Sequence, residues 1–279
     1  MTHRGRIANK FRELRERNEA ALIPFIVAGD PDLDATRRLV VELESCGADL
    51  IELGVPFSDP MADGPANQRA VARGLASGAS LPSILSLVAD LRKVTQIPII
   101  LFGYFNPYMH YGCEQLATDA ARAGADGILA VDLPPEESAE LAKPARRSGL
   151  DLIYLLAPTT PIERARRIAR AASGFLYYVA VTGVTGVRER IGADVEQKVR
   201  ELRTITDLPV GVGFGISTPD QAARVASFAD AVVVGSAISL LIEAHQKSPD
   251  MVATVGALVR AMKDAMRAAR NPAGPQALR

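Results

Sequence analysis

The chain contains no tryptophan, two cysteines, three histidines and no net charge in 279 residues. Each shortage argues against a class of function. Cys46 and Cys113 stand far apart without ligand spacing, which fits thiols in a reducing compartment and not a disulfide framework. His3, His110 and His245 share no motif, so the sequence spells out neither a zinc centre nor a Ser-His-Asp nucleophile. Lys plus Arg equals Asp plus Glu at 32 each, leaving no field to attract nucleic acid or an anionic membrane. The basic cluster Arg164, Arg166, Arg167 and Arg170 has helical spacing and reads as a solvated helix face. No window reaches the roughly 18 uninterrupted apolar residues of a membrane span. The N-terminal MTHRGRIANKFRELRER lacks the apolar core of a secretory signal. The expectation is a cytoplasmic protein with no metal, no nucleic-acid partner and no membrane partner.

What is present is ordinary in amount and regular in arrangement. At 48% apolar and 23% charged, the chain has ample material for a core. Near-continuous apolar runs occur at 21–28, 50–55, 97–104, 127–132, 150–157, 175–181, 209–214 and 231–234. Helical patterns lie between them, at 32–46, 81–94, 113–123, 136–148, 161–172, 194–206 and 219–228. Runs rich in Val, Ile and Leu suit parallel strands buried on both faces. A doubly wound sheet is the alternative, but eight evenly spaced units favour an α/β fold of the (β/α)8 TIM-barrel type. Residues 6–17 would form an extra N-terminal helix covering the barrel floor. No linker interrupts the pattern, so the expectation is a single domain over 1–279 with a mobile tail at 271–279.

In such a barrel, chemistry sits on the loops that follow the strands. The first run ends in AGDPD, where Asp30 or Asp32 is expected to cap the next helix. The second runs into LIELGVPFSDPMADGP, residues 50–65, with one carboxylate, Glu52, inside the apolar stretch. An ionised carboxylate is costly to bury alone. Glu52 therefore either pairs with a hidden Arg or Lys or is tuned by burial toward a neutral pKa for proton transfer. Asp63, on the loop, is expected to stay ionised and to accept a hydrogen bond from a substrate N–H; Asp59 reads as a turn former. Tyr177, inward on the sixth run, serves either the core or the site. After the seventh and eighth runs, Gly213, Gly215, Gly235 and Ser236 would let backbone amides approach an anion. Ser236 opens a helix over 237–245 whose N-terminus attracts phosphate. Single glycines of this kind make only tight turns, but the set suits a phosphate site, over which residues 183–186 could close.

With these residues in hand, the chain resembles the tryptophan synthase alpha subunit family over nearly its whole length. The resemblance rests on IELGVPFSDPMADGP (51–65), YYVAVTGVTGVR (177–188), GVGFGIS (211–217) and the flanking PFIVAGDPD and GSAI. It implies retro-aldol cleavage of indole-3-glycerol phosphate to indole and glyceraldehyde 3-phosphate. By that resemblance Glu52 is the acid–base residue, Asp63 holds the indole N–H, and Tyr177 joins them as a catalytic residue. Phosphate contacts fall on Gly186, Phe214, Gly215, Gly235 and Ser236. Phe25, Phe102 and Leu129 would line the indole pocket, and Thr185 would sit on a closing lid. One departure stands beside the pocket, where many members carry an apolar residue and this chain has Asn67. The resemblance further implies a beta subunit that holds pyridoxal phosphate, receives indole and completes an alpha2beta2 heterotetramer; no cofactor is expected in this chain. The docking surface would include 106–108, 132–135 and 56–59. The alternatives are a stand-alone lyase, a non-catalytic activator of the beta subunit and another sugar-phosphate barrel, an isomerase or epimerase. Intact Glu52, Asp63 and Tyr177 speak against a mere activator.

Overall fold

The computed structural model describes residues 5–180, 188–213 and 215–271, without the side chains of 188–193. Its strands are β1 (Ala21–Val27), β2 (Ile51–Gly54), β3 (Ile99–Gly103), β4 (Gly127–Ala130), β5 (Asp151–Leu152), β6 (Tyr154–Leu156), β7 (Leu176–Val179), β8 (Val210–Gly213) and β9 (Ala231–Val234). All are parallel, in the order β5-β4-β3-β2-β1-β9-β8-β7-β6. The two ends of this sheet are consecutive in the chain. β5 pairs with β4 and β6 pairs with β7, with only Ile153 between them. The Ile153 N–H still donates to the Ile128 carbonyl at 3.1 Å. The eight expected strands are thus present, the fifth broken in two, and the sheet closes on itself as a TIM barrel.

The helices are α1 (Arg6–Glu16), α2 (Leu33–Ser45), α3 (Pro65–Ala76), α4 (Leu81–Leu91), α5 (Phe105–Tyr111), α6 (Cys113–Ala123), α7 (Ala139–Arg147), α8 (Ile162–Ala171), α9 (Arg188–Arg203), α10 (Pro219–Ala226), α11 (Ser236–His245) and α12 (Met251–Arg270). Three of them, α3, α5 and α12, were not marked in the sequence. Pro65 opens α3, where its missing N–H would have been unpaired anyway. At the end of β1 the two candidate caps separate. Asp32 caps α2 by accepting from the Ala35 N–H at 2.6 Å, whereas buried Asp30 is gripped by Arg73 at 2.6 and 2.9 Å.

Strand alternation sorts the core into two shells. Odd-numbered β1 residues Ala21 and Ile23 point inward with Leu50, Ile100, Leu129, Ile153, Phe175, Ala231 and Val233. Even-numbered Leu22 and Ile26 face the surrounding helices. α1 presents Ile7, Phe11 and Leu14 at helical spacing to the inner shell, with the Phe11 ring 5.8 Å from that of Phe175. The expected floor helix therefore plugs the N-terminal end of the barrel, leaving its C-terminal mouth for chemistry. The outermost helix, α12, is anchored by buried Lys263, which reaches Asp49 at 2.8 Å and Glu19 at 3.0 Å. Both cysteines are buried free thiols. Among the described residues no single helix is long and apolar enough to cross a membrane.

Candidate active site

A cavity of about 250 Å³ opens at the C-terminal ends of the strands, and Phe25, Glu52, Asp63, Phe102, Tyr177, Gly215, Gly235 and Ser236 all line it. Residues scattered over more than 200 positions thus meet in one place because parallel strands end at the same rim.

Glu52 comes from β2 and is completely buried. Neither carboxylate oxygen has a hydrogen-bond partner among the described residues. Buried Lys263 is engaged with Asp49, and half-buried Arg73 and Arg92 with Asp30 and Asp126. Burial pushes its pKa up from an ordinary 4.5 to about 8. A buried acid with no partner is a group held ready for proton transfer, not a structural ion pair.

Asp63 is less solvated than its loop position suggested. The segment folds back over the mouth, and burial raises the pKa of the half-buried carboxyl. Two donors oppose that rise by favouring the ionised form. The Tyr104 hydroxyl donates to Asp63 Oδ2 at 2.9 Å, and the Asn67 amide acts in the same direction. Tyr104 in turn accepts from the Ala62 N–H at 3.0 Å, which pins the loop. Asp59 stays exposed, accepts from Ser58 and lies outside the cavity lining, as a turn former should.

Tyr177 faces inward from β7, and its pKa is raised well above the ordinary tyrosine value by burial and by Glu52. Gly213 makes that position possible. A Cβ there would lie 2.7 Å from Tyr177 Cζ and closer still to its hydroxyl. This steric need, and not anion approach alone, explains the glycine. Phe25 and Phe102 form an edge-to-face pair with ring centres 4.8 Å apart.

The anion side is built by Gly215 and by α11. Gly215 has φ +51°, in the left-handed region that favours glycine. α11 begins at Ser236 with Gly235 at its N-cap, no capping side chain and no acid in its first turn. Its first N–H groups are therefore available, with the helix dipole, to an anion in the cavity.

Leu129 is fully buried in the inner shell and does not line the cavity, whereas Val131 does. The strands tilt, so cavity level climbs relative to the ladder. Phe102 lies two residues past Ile100, the ladder partner of Glu52, and Val131 lies two past Leu129, the ladder partner of Phe102. Thr185, Gly186 and Phe214 lie outside the described residues, as does the tail from 272 onward. Within the segments expected to form the docking surface, Ser58, Asp59, Asn106 and Asp132 are exposed whereas Pro56, Tyr108 and Leu133 are buried; the Tyr108 hydroxyl donates to the Leu129 carbonyl at 3.4 Å. Sequence reading missed Tyr104, Val131 and Leu155 as parts of the site. Val131 was accessible from the period of two along β4; Tyr104 was not, since only the fold brings it to Asp63.

Comparison with known proteins agrees with this geometry. The sequence pattern of the family described as "Tryptophan synthase alpha chain" matches residues 11–267. The tryptophan synthase alpha chain of Geobacter sp. strain M21 is 54% identical over 259 residues, covering 93% of this chain and 97% of the relative. That of Citrifermentans bemidjiense is 55% identical over 259 residues, with the same coverage of 93% and 97%. Among solved structures, tryptophan synthase subunit alpha from Legionella pneumophila superposes with a TM-score of 0.87 at 40% identity, covering 94% of this chain and 98% of that one. With the barrel, the buried acid and these relatives in agreement, the chain belongs to the tryptophan synthase alpha chain family.

Proposed function

We propose that Glu52, Asp63 and Tyr177 carry in this chain the reaction of its family, the lyase cleavage of indole-3-glycerol phosphate to indole and glyceraldehyde 3-phosphate. The observation that supports this assignment is Glu52, a buried carboxyl without a partner among the described residues, in the same cavity as an uncapped helix N-terminus.

The division of labour follows from the surroundings. With a pKa of about 8, Glu52 carries its proton at neutral pH and delivers it to indole C3. The positive charge this places on the indole ring is met by Asp63, whose ionised form Tyr104 and Asn67 favour. As the bond from C3 to the glycerol side chain breaks, its electrons return to the ring. The hydroxyl on the departing carbon becomes the aldehyde, and its proton goes to the Glu52 carboxylate, which restores the starting state. The Tyr177 hydroxyl, held protonated, orients the reacting groups beside Glu52. The Phe25–Phe102 pair gives the indole ring an apolar seat. Gly215, Gly235 and Ser236 anchor the phosphate, whose remote binding energy aligns the scissile bond.

On this reading indole passes to a beta subunit in an alpha2beta2 assembly, and pyridoxal phosphate belongs to that partner alone. Met61 is 88% exposed and Met109 is 50% exposed on the loops and helix at the barrel mouth, which supports docking on that face. The deciding experiment supplies the purified chain with indole-3-glycerol phosphate, with and without a beta subunit, and follows indole. Release that depends on Glu52 is expected; no release under either condition overturns the assignment.

A further inference from the structure

We propose that Asn67 is a positioning residue that ties α11, the helix at the phosphate end of the cavity, to the Asp63 carboxylate. The inference rests on the roles given above to Asp63 and Ser236. Asn67 stands in the first turn of α3 and lines the cavity. Its Oδ1 accepts a 3.0 Å hydrogen bond from the hydroxyl of Ser239, which is 2% exposed and lies one turn into α11.

This contact fixes the amide. A carboxylate only accepts, and so does an amide oxygen. With Oδ1 engaged by Ser239, Nδ2 is the end of the amide left to favour the ionised Asp63. The same Nδ2 lies 3.7 Å from where a Cβ on Gly235 would stand, which places it beside the N-terminus of α11. The Tyr104 hydroxyl donates to Asp63 Oδ2 at 2.9 Å. Asp63 thus takes a hydrogen bond from Tyr104 and is favoured in its ionised form by the Asn67 amide, whose other end leads on to α11. Farther out, Arg69 on α3 grips Glu243 on α11 at 2.6 and 2.8 Å, so the two helices cannot drift apart without breaking a second link. The phosphate anchor and the acid facing the indole nitrogen are thereby held at a set separation by Ser239 and Asn67. A substrate seated by its phosphate meets an Asp63 already in place.

The test compares Asn67→Leu, which keeps bulk and removes the amide, with Ser239→Ala, the double variant and Asp63→Asn. Each is assayed for cleavage of indole-3-glycerol phosphate and for its thermal midpoint. A hydrogen bond to a charged group is worth about a tenfold rate change. Asn67→Leu is therefore expected to lose about tenfold in kcat with KM nearly unchanged, and Ser239→Ala about threefold. The double variant is expected to match Asn67→Leu, because Ser239 acts through Asn67. Unchanged kcat in Asn67→Leu, or losses that multiply in the double variant, overturns the proposal. If Asn67→Leu does not fold, Ser239→Ala decides alone: reduced kcat at constant KM supports the link and unchanged kcat removes it. Asp63→Asn separates the two levels of the argument. Turnover retained there removes the assignment of Asp63 and this inference with it; turnover lost there, but intact in Asn67→Leu, removes this inference alone.

Discussion

Phe25 stands beside Glu52 as its register partner in the β1–β2 ladder, and both side chains turn into the cavity. The aromatic ring gives the carboxyl a neighbour that can neither donate a hydrogen bond to its oxygens nor balance its charge. Phe102 and Val131 continue the same wall. The proton on Glu52 is retained because of what the barrel withholds from it.

The turnover of the enzyme should therefore depend on pH in a stated direction. Glu52 must be protonated to deliver a proton, so kcat is expected to hold through neutral pH and to fall as pH rises through about 8. Replacement by Gln is expected to lower kcat about a thousandfold while substrate still binds. A steady-state pH profile and a binding measurement on Glu52→Gln check both.

The same proton carries a stability cost. An unfolded Glu52 ionises above about pH 4.5, whereas the folded one stays neutral to about pH 8. The unfolded state thus binds fewer protons between these values, and Glu52 weakens the fold as pH rises through that window. By pH 7 the penalty is about 3 kcal/mol. Glu52→Leu is expected to be inactive but more stable than the parent, by a margin that grows from pH 5 to pH 8 in urea titrations.

Removing the hydroxyl of Tyr104 should act on Asp63 and not on Glu52. The 2.9 Å donor lowers the Asp63 pKa, so Tyr104→Phe is expected to raise it. The acidic limb of the rate profile then shifts to higher pH while the limb near pH 8 stays in place. Unmoved limbs would separate Tyr104 from Asp63.

Gly213→Ala tests the packing behind Tyr177. The added methyl would stand within 2.7 Å of the Tyr177 ring, so the inward-facing ring must shift to admit it. A loss of about 1–3 kcal/mol in stability is expected, together with a fall in kcat. Pairing it with Tyr177→Leu should recover much of the stability and none of the turnover.

Away from the site, Lys263→Met would leave Asp49 buried without its cation, at a cost of about 3–5 kcal/mol. The cost should shrink in acid, where Asp49 is protonated. Denaturant unfolding of the variant at pH 7 and pH 4 measures both.

The sequence by itself determined the strand runs, the floor helix and the pair Glu52 and Asp63, because a carboxylate inside an apolar run and an acid between prolines are local anomalies. It also marked Gly215, Gly235 and Ser236, since a strand ending in glycine before a helix is a local pattern. Tertiary structure decided the rest. It showed that among the described residues no cation reaches Glu52, that Asp30 is taken by Arg73 and so leaves the cap to Asp32, that Val131 lines the cavity, and that Tyr104 reaches Asp63. These are matters of strand tilt and of distance between residues far apart in the chain. Periodicity states which face a side chain takes, but only the closed barrel fixes how high it stands and what it meets there.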